Sequence, residues 1–414
     1  MTPPSEEQTP VEQSFEAAES GRVDYSSISL LSASHLTDDI NQGAVPAMLP
    51  FLIAANHLTY AAAAGLVLAQ SMSSSVVQPI FGLLADRKPA PWLIPLGLSV
   101  AGVGVAVAGI APSYPLMFAA IAVSGLGVAA FHPEAARWTR YLGGSRQGTA
   151  MSLFSVGGSA GFAIGPLLIT PVLAVFGPRG AIVLALPVLV MSTVIIIQRR
   201  RFRHTTARGA PTGYGHGQVL IDARAQWPEF TRLTGVVMVR SIVFFGLNTF
   251  IPLYWAAVLH QSKVRGGFAL TMMLTASACG TLVGGWMADR YGRRIVVVVS
   301  MAILPLLMFA LTGVSAVLAA TAILIPVGFT MALPASVMVV MGQEYLPNRV
   351  GLAAGVTLGL SVTVGGLLMP VFGTIADHHG LHFALIVLAS IPIAGFLMSL
   401  TLREPSEGAL PLPA

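Results

Sequence analysis

Long runs of apolar residues recur along the whole chain, and they limit what it can fold into more than any other feature. A helix needs about 20 such residues to cross a hydrocarbon layer about 30 Å thick. Only 9% of the residues are charged and 55% are hydrophobic, whereas a soluble domain has about 25% charged residues. The runs do not alternate with a period of two, so they do not resemble the strands of a membrane barrel. The sequence therefore predicts an all-α integral membrane protein.

About twelve of these runs are predicted to be membrane-spanning helices. They form two sets of six, and the connection between the sets, Gln198–Gln218, is the most polar and arginine-rich in the chain. The predicted spans are 27–55, 60–85, 92–111, 115–139, 148–176, 180–198, 231–259, 267–288, 295–313, 316–342, 351–376 and 381–402.

The composition of the remaining segments predicts how the chain is divided. The first residues are rich in Glu, Pro, Ser and Gln and have too few apolar side chains to fold by themselves. The predicted divisions are a disordered cytoplasmic tail at 1–25, an N-terminal six-helix half at 26–198, a cytoplasmic linker at 199–230, a C-terminal six-helix half at 231–402 and a C-terminal tail at 403–414.

The net charge of +5 is explained by membrane topology. If the N-terminus is cytoplasmic, the Arg and Lys residues between the spans lie on the cytoplasmic side, and only Arg179, Lys263 and Arg265 lie outside. This bias is the positive-inside rule. We therefore expect a multi-pass protein of the plasma (inner) membrane with both termini in the cytoplasm and no nucleic-acid partner.

The two sets of six spans carry the same short motif at the same place. Leu84–Arg87 ("LADR") matches Met287–Arg290 ("MADR") at an offset of 203 residues, and the same offset brings Arg146 onto Arg349. Duplicated six-helix halves are typical of transporters, because such halves can rock about a site at their interface. The repeat therefore predicts a pseudo-symmetric secondary transporter.

The connection after the eighth span, "GGWMADRYGRR" (Gly284–Arg294), resembles the signature loop of the major facilitator superfamily. Gly285 is expected to let helices approach closely, and Asp289 to accept hydrogen bonds from a neighbouring helix N-terminus. The arginines would anchor the loop at anionic headgroups. The residues expected to gate the conformational change, in this loop and its first-half equivalent, are Asp86, Arg87, Gly285, Asp289, Arg290, Arg293 and Arg294.

The equivalent first-half loop, "GLLADRKPAPW" (Gly82–Trp92), departs from that signature because a Pro-Ala-Pro run at 89–91 replaces the usual Gly and basic residues. A proline-rich version followed by Trp is similar to the fosmidomycin-resistance branch of the superfamily. The resemblance covers residues 26–402 and implies the major facilitator fold and drug export. The other segments that resemble this branch are "SHLTDDI" (Ser34–Ile40), "FHPEAAR" (Phe131–Arg137) and "GGSRQG" (Gly143–Gly148).

The fifth span contains "GGSAGFAIGP", which places Gly157, Gly161 and Gly165 four residues apart on one side of a helix, followed by Pro166. Small residues at this spacing allow close helix packing, and the proline bends the helix. The pattern resembles the fifth-helix motif of drug/proton antiporters in the superfamily. It therefore implies antiport, although a general close-packing face explains the glycines equally well.

The first span carries polar residues on one face, because His35, Asp38, Asp39 and Gln42 follow the spacing i, i+3, i+4 and i+7. A carboxylate in the middle of a membrane helix costs about 2.5–3.5 kcal/mol on insertion scales, so an adjacent pair needs a use or a partner. Two neighbouring acids also repel each other, and at least one is expected to exchange protons near neutral pH. The alternative is that both acids lie near the cytoplasmic surface and solvate the helix end.

The fourth span contributes His132 and Glu134. Histidine titrates near neutral pH, which suits a proton relay, but a structural histidine beside the helix-bending Pro133 is an equal alternative. Glu134 and Arg137 are spaced i and i+3 and could form a plain salt bridge at the cytoplasmic end. The residues assigned to proton coupling are Asp38, Asp39, His35, Glu134 and His132.

The seventh span carries Arg240, whose guanidinium stays charged and needs an anion inside the membrane. That anion could be Asp38, Asp39 or Glu344 in a permanent ion pair, or it could be a substrate. The repeat offset places Arg240 close to the counterpart of Asp38, and hence opposite it across a central cavity. The predicted substrate-binding residues are Arg240, Gln42, Asn248 and Tyr254.

The segment "DHHGLH" (Asp377–His382) has the composition of a metal site. It lies where the eleventh span meets the outer surface, so an ordinary turn is expected there. No metal and no other cofactor is predicted for the chain.

These features favour a transporter that exports a small, possibly anionic, drug or metabolite such as fosmidomycin in exchange for protons. Proton-coupled uptake of a small metabolite and export of cationic drugs are the alternatives within transport, and a membrane sensor is the alternative outside it. An enzyme is not expected, because the sequence has no nucleotide loop, zinc motif or serine elbow in context. The expected partners are the small-molecule substrate, protons and the lipid bilayer, and the chain is expected to be a monomer.

Overall fold

The computed structural model describes residues 23–87, 90–198 and 225–405, and within these ranges nearly every residue is helical and no strand occurs. Apolar runs form helices in a membrane because each backbone N–H and C=O must be paired without water. The helices are α1 (Tyr25–Asn56), α2 (Tyr60–Arg87), α3 (Leu93–Ile110), α4 (Tyr114–Leu142), α5 (Gln147–Phe176), α6 (Ala185–Ile197), α7 (Trp227–Ala257), α8 (Lys263–Tyr291), α9 (Arg293–Thr312), α10 (Val317–Ala332), α11 (Ala335–Tyr345), α12 (Val350–Ala354), α13 (Ser361–Leu367), α14 (Met369–His379) and α15 (Leu381–Ser399). A π-helix at Gly355–Leu360 joins α12 to α13, and short 3₁₀ turns lie at Gly144–Arg146, Gly177–Leu184 and Pro347–Arg349.

Ten helical segments of the described chain are long and apolar enough to cross a membrane. One of them, Gln147–Ile197, has 51 residues and contains two spans, α5 and α6, separated by the 3₁₀ turn. The 32-residue helix α1 is not among the ten, since its first half is polar. Dividing the long segment and adding α1 gives the expected twelve spans. The predicted all-α membrane fold is therefore confirmed.

The helix boundaries repeat between the two halves. α2 begins at Tyr60 and α8 at Lys263, while α4 begins at Tyr114 and α10 at Val317. Each pair is 203 positions apart, which is the offset between the sequence motifs. The two six-helix halves are therefore built on one plan.

Consecutive spans run in opposite directions, so the bundle has two distinct ends. The motif end is the one at which α2, α4, α8 and α11 finish, at Arg87, Leu142, Tyr291 and Tyr345. The opposite end is the one at which α1, α3, α5 and α7 finish, at Asn56, Ile110, Phe176 and Ala257.

The glycine stripe of α5 packs directly against the backbone of α1. A Cβ atom at Gly161 would lie only 2.1 Å from the carbonyl oxygen of Leu36, and a similar clash would occur one turn away on either side, at Gly157 and Gly165. Pro166 is buried at the end of the stripe. Close packing thus accounts for these glycines, and it fixes α1 in the position that the candidate site requires.

The close helix contact near the motif loop is made by Gly284 and not by Gly285. A Cβ atom at Gly284 would lie 1.8 Å from the carbonyl oxygen of Leu333, whereas one at Gly285 would have nothing within 4 Å. Neighbouring helical residues point about 100° apart, so only one of two adjacent glycines can face a given partner. The expectation that Gly285 makes this contact is wrong.

The two halves meet closely at the opposite end. Asp377, in the last turn of α14, accepts hydrogen bonds from the backbone N–H groups of Tyr60 at 2.7 Å and Ala61 at 2.9 Å, which begin α2. Next to this contact, a Cβ atom at Gly373 would lie 2.5 Å from the Cα of Ala61. The carboxylate of one half therefore caps a helix of the other half.

The predicted tails and linker lie largely outside the described residues. The tail at 1–25 is described only from residue 23, the linker at 199–230 only from residue 225, and the tail at 403–414 only up to residue 405. The division of the chain at these positions stays a prediction.

Candidate functional site

Two histidines from different helices meet inside the N-terminal half. His35 lies about 15 Å along α1 from its start, and His132 lies on α4. Their Nε2 atoms are 3.1 Å apart. The Nδ1 of His35 donates to the carbonyl oxygen of Phe154 at 2.8 Å, and the Nδ1 of His132 donates to that of Val128 at 3.0 Å. Two backbone carbonyls therefore hold the rings so that their Nε2 atoms face each other.

Asp39 lies beside this histidine pair. Its Oδ2 is 3.3 Å from Nε2 of His35, and its Oδ1 is 3.7 Å from Nε2 of His132. The side chain of Gln42 donates a hydrogen bond to the same carboxylate. The helical spacing of the polar stripe thus produces one connected network, which His132 of a second helix completes.

Asp38 is fully buried, and neither of its carboxylate oxygens has a hydrogen-bond partner among the described residues. His132 approaches it from α4, with its Nδ1 atom 3.5 Å from Oδ2 of Asp38. A side chain with 0% exposure does not solvate a helix end, so the surface alternative for this acid does not fit the fold. A charged carboxylate without a hydrogen-bond donor is costly to bury.

The space for this network is provided by α5. A Cβ atom at Gly158 would lie 2.5 Å from the ring of His35 and 2.7 Å from Oδ2 of Asp39. Phe154, one turn earlier on α5, stacks on His35 with ring centroids 4.1 Å apart. A larger residue at Gly158 would therefore displace the imidazole. The sequence does not single out Gly158, because this glycine lies next to the regular stripe and not on it.

A cavity of about 240 Å³ lies between the two halves. Hydroxyl and amide groups line much of it, and aromatic rings of α5 and α7 cover another part. The lining residues are Gln42, Pro46, Val67, Gln70, Ser71, Ser74, Phe162, Arg240, Ser241, Phe244, Phe245, Asn248, Thr357, Leu358, Ser361 and Val362. Among the predicted substrate-binding residues, the structure brings Arg240, Gln42 and Asn248 to one cavity.

Arg240 is the charged residue of this cavity lining. Its Nε atom is buried without a hydrogen-bond partner, and no described residue forms an ion pair with the guanidinium. Glu344, one of the anions considered from the sequence, forms a salt bridge with Arg293 instead. Arg240 therefore presents a positive charge, unpaired among the described residues, to a cavity lined by both polar and apolar side chains.

Two amide side chains of the cavity lining each have one buried atom without a hydrogen-bond partner among the described residues. Asn248 donates to the carbonyl oxygen of Phe244 at 2.7 Å, which leaves its buried Oδ1 atom without a hydrogen bond. The buried Nε2 atom of Gln70 likewise has no acceptor. One acceptor and one donor are therefore left for a bound molecule. Nothing in the sequence distinguishes Gln70 from other polar residues of the spans.

Two predicted site residues lie elsewhere. Tyr254 is buried, stacks on His382 with ring centroids 6.3 Å apart, and does not line the cavity. Glu134 is fully buried and accepts a hydrogen bond from the backbone N–H of Ala90 at 3.0 Å, as well as a salt bridge from Arg137 at 2.9 Å. It therefore holds the turn before α3, as the salt-bridge alternative expects, and does not join the histidines.

The start of α9 is capped by Glu404, whose carboxylate accepts hydrogen bonds from the backbone N–H groups of Arg293 at 2.7 Å and Arg294 at 2.9 Å. Asp289, predicted to cap a neighbouring helix, is exposed and makes no hydrogen bond with any described residue. Nothing in the sequence around Glu404 marks it as the cap of a helix more than 100 residues earlier. The remaining predicted loop residues are Arg290, which lies over the ring of Trp286, and Asp86 and Arg87, whose side chains lie outside the described part of the chain.

Atoms able to bind a metal come together at His35, Asp39 and His132, within 4.8 Å of one another. Imidazole nitrogens and a carboxylate oxygen would suit a first-row divalent ion. Among the described residues, the segment Asp377–His382 gathers no such set. The expectation that the protein uses no metal stays a prediction.

Two repeated six-helix halves around a cavity that contains a buried arginine are typical of a membrane transporter. The family model of the Major Facilitator Superfamily matches residues 31–358, which is most of the chain. The chain belongs to the Major Facilitator Superfamily. It is therefore a multi-pass membrane protein that carries a small-molecule substrate across a lipid bilayer, and it is not an enzyme.

Individual relatives agree with this family. The chain is 29% identical over 410 residues to the fosmidomycin resistance protein of Escherichia coli (strain K12), covering 95% of this chain and 97% of that one. It is 28% identical over 388 residues to the uncharacterized MFS-type transporter YfnC of Bacillus subtilis (strain 168), covering 91% and 93%. The resemblance to the fosmidomycin-resistance branch, expected from the loop motifs, is thus confirmed.

Solved transporter structures share the fold. A bacterial homologue of the human lysosomal transporter Spinster, in an inward-facing and occupied conformation, matches with a TM-score of 0.74 at 14% identity, covering 95% of this chain and 97% of that one. The nucleoside transporter NupG matches with a TM-score of 0.72 at 13% identity, covering 90% and 98%. At these identities the match concerns the fold alone.

Proposed function

We propose that the protein exports a small anion, such as the phosphonate antibiotic fosmidomycin, in exchange for protons. The observation that carries this proposal is Arg240, an unpaired cation in the cavity between the halves. Two oxygens of a phosphonate match the two-pronged geometry of a guanidinium. The name of the Escherichia coli relative, a fosmidomycin resistance protein, supports the same substrate class.

The dimensions of the cavity support a small substrate. Its volume of about 240 Å³ is at or below the lower end of ordinary ligand pockets, which hold about 300–1,000 Å³. The unpartnered amide atoms of Asn248 and Gln70 offer an acceptor and a donor to a second polar group of the substrate. A phosphonate that also carries a hydroxamate has a charge and hydrogen-bonding groups of these kinds.

Gln42 supports coupling between substrate and proton. Its side chain donates to Asp39 and also lines the cavity that contains Arg240. A substrate that engages Gln42 weakens its hold on Asp39, and release of the substrate restores it. Proton binding at Asp38, Asp39, His35 and His132 and anion binding at Arg240 would then influence each other reciprocally.

The direction of transport and the topology belong to the same proposal. A secondary transporter that protects a cell against a drug has to export it, and export against a concentration gradient requires coupling to an ion or proton gradient. The arginine-rich motif end fits the cytoplasmic side of the plasma membrane, with both chain termini in the cytoplasm. We place a monomer in that orientation, with the loops around Asp86 and Asp289 acting when the motif end closes.

Transport into proteoliposomes tests the proposal. Purified protein should exchange labelled fosmidomycin for unlabelled compound, and a pH gradient should drive net accumulation. Ethidium serves as the cationic comparison, because Asp38 and Asp39 offer negative charge to a lipophilic cation. Transport of ethidium without transport of the phosphonate would replace the anion model with a cationic-drug exporter. Net accumulation of fosmidomycin that does not depend on the pH gradient would exclude the proton coupling.

Asp377→Asn is expected to loosen the opposite end of the transporter. The carboxylate caps the first turn of α2 across the halves, and charge-assisted hydrogen bonds of this kind contribute about 1.5–3 kcal/mol. Because this carboxylate is exposed, we expect only about 1 kcal/mol, or about a fivefold shift in the population of the closed form. Electron–electron distances between spin labels placed across the opposite end would show a longer component in the variant.

The control for this measurement is His378→Gln, which changes the adjacent exposed residue of the same helix turn. Cys279 is free and exposed, so the labelled proteins need Cys279→Ser as background. Identical distance distributions for wild type and Asp377→Asn would exclude a gating role for this cap.

A further inference from the structure

The protonation state of the histidine pair follows from its hydrogen bonds. A neutral imidazole carries one N–H group, and its second nitrogen is an acceptor. In both His35 and His132 the Nδ1 atom donates to a backbone carbonyl oxygen, of Phe154 and Val128 respectively. When both rings are neutral, both Nε2 atoms are therefore bare acceptors.

Two bare acceptors do not attract each other at 3.1 Å, which is the separation of the Nε2 atoms. One additional proton on either Nε2 turns the contact into an N–H···N hydrogen bond and gives the pair a single positive charge. Asp39 supplies the matching negative charge, with carboxylate oxygens 3.3 Å from Nε2 of His35 and 3.7 Å from Nε2 of His132. Charge and hydrogen bonding are satisfied together by one proton.

We propose that the Nε2 atoms of His35 and His132 share one proton, and that this pair is the binding site of the transported proton. The second part rests on the proposed function, whereas the first rests on the ring geometry alone. The proton arrives from water at Nε2 of His132, whose side chain is 22% exposed, and is shared with His35, whose side chain is 10% exposed. It leaves to water by the same atom, and no other bond forms or breaks.

The groups around the pair support a single positive charge and no more. From α1 the ionisable neighbours are Asp38 and Asp39. The residues that α5 places against His35 are Phe154 and Gly158, and Phe131 of α4 packs on both rings, so none of these adds charge. No described arginine or lysine forms a salt bridge with either aspartate.

The arrangement also explains how a moving helix could release the proton. His35 lies on α1 and His132 on α4, so a small shift between these helices separates the Nε2 atoms and removes the shared site. Gln42 connects the position of Asp39 to the substrate cavity. Gln42 lies one helix turn from Asp39. A substrate that binds Gln42 would therefore alter the position of the Asp39 carboxylate, which is the negative charge beside the histidine pair.

Nitrogen NMR of the full-length protein in lipid bilayers tests the shared proton without any substrate. With ¹⁵N-labelled histidine, the difference between wild type and His132→Gln identifies the signals of the pair. At neutral pH we expect both Nε2 nuclei to report one hydrogen bond between them, and both to lose it in a single step as the pH rises. Two independent titrations, or two bare Nε2 signals at acidic pH, would overturn the proposal. So would one tightly bound metal ion per chain in elemental analysis of the same sample.

Transport by His35→Gln, His132→Gln and the double variant tests the second part. If the rings share one proton, each single variant loses proton-driven accumulation at least tenfold and the double variant loses no more than either. Substrate counterflow, which needs no proton gradient, is retained. His260→Gln, in a turn at the opposite end, is the matched control and keeps full activity. Losses that multiply in the double variant would contradict a shared site.

The NMR measurement and the transport measurement test the shared proton and the proposed antiport separately. If the wild-type protein shows the shared proton by NMR but its accumulation of substrate does not depend on the pH gradient, proton-coupled antiport is excluded. The shared proton between the two histidines would still be supported. Proton-driven transport that survives in both single histidine variants would remove the pair as the coupling site and leave the antiport model in place.

Discussion

Replacing Arg240 with alanine is expected to reduce the affinity for an anionic substrate about 100-fold. Arg240 is the cation of the cavity lining and has no ion-pair partner among the described residues. Truncating one member of a buried, hydrogen-bonded charge pair costs about 2–5 kcal/mol, and about 2.7 kcal/mol corresponds to a factor of 100. Equilibrium binding of fosmidomycin to purified protein measures this directly.

Two further variants test whether the effect of Arg240→Ala comes from the charge, from the geometry of the guanidinium or from neither. Arg240→Lys keeps the charge but loses the two-pronged geometry, so it should retain part of the affinity. Arg265→Ala removes an exposed arginine near the opposite end and should bind like wild type. Unchanged binding in Arg240→Ala would place the anion site elsewhere.

The same variants can be followed in cells. In a drug-sensitive host, Arg240→Ala should lose protection against fosmidomycin while being expressed at the wild-type level. If the wild type protects only against ethidium, the anion model fails and the acids of α1 become the substrate-binding groups. Growth therefore separates the two substrate classes with one set of strains.

The fold followed from the sequence because its strongest determinant is local. A membrane helix pairs its own backbone groups, so the length of an apolar run predicts a span whatever its neighbours are. The polar stripe of α1 was equally predictable, since helical spacing alone puts His35, Asp39 and Gln42 on one face. The repeat offset then located the second half.

The site was only partly predictable, because the missing contacts join distant segments. His132 could be noted as titratable, but its approach to His35 depends on how α4 packs against α1. Glu134, two residues later on the same helix, turns away and holds the N–H of Ala90. A difference of two positions on one helix thus separates a member of the network from a structural cap.

The remaining differences between the predicted and the observed contacts have two causes. The sequence does not show which face of a helix meets a neighbour, and it does not show which distant helix a carboxylate caps. Gly284 and Gly285 are equivalent in sequence terms, yet only Gly284 faces the backbone at Leu333. The sequence predicts an ordinary turn at Asp377, and the role of this residue in holding α2 becomes visible only when the two halves are assembled. Whether a carboxylate caps a helix depends on which helix end lies beside it, and the sequence does not identify that helix.

Asp39→Asn is expected to abolish proton-driven transport while leaving membrane insertion and expression intact. Asp39 is the carboxylate that contacts both histidines and Gln42, so its charge stabilises a proton in the network. Breaking a buried ion pair by removing one charge costs about 3–5 kcal/mol, which corresponds to a loss of proton occupancy of more than about 100-fold. Asp38→Asn is expected to have a smaller effect, because among the described residues Asp38 forms one ion pair, with His132, and its carboxylate accepts no hydrogen bond.

Accumulation driven by a pH gradient, compared with counterflow in the same proteoliposomes, measures the effect of each aspartate. Counterflow should persist in Asp39→Asn, since the substrate cavity keeps Arg240 and its amide groups. Asp24→Asn is the matched control, because Asp24 caps the start of the same helix through Ser27 and asparagine is an equally good cap. Full proton-driven activity in Asp38→Asn, in Asp39→Asn and in the double variant would show that the polar stripe of α1 does not carry the proton, and the histidine pair would then have no counter-charge to hold one.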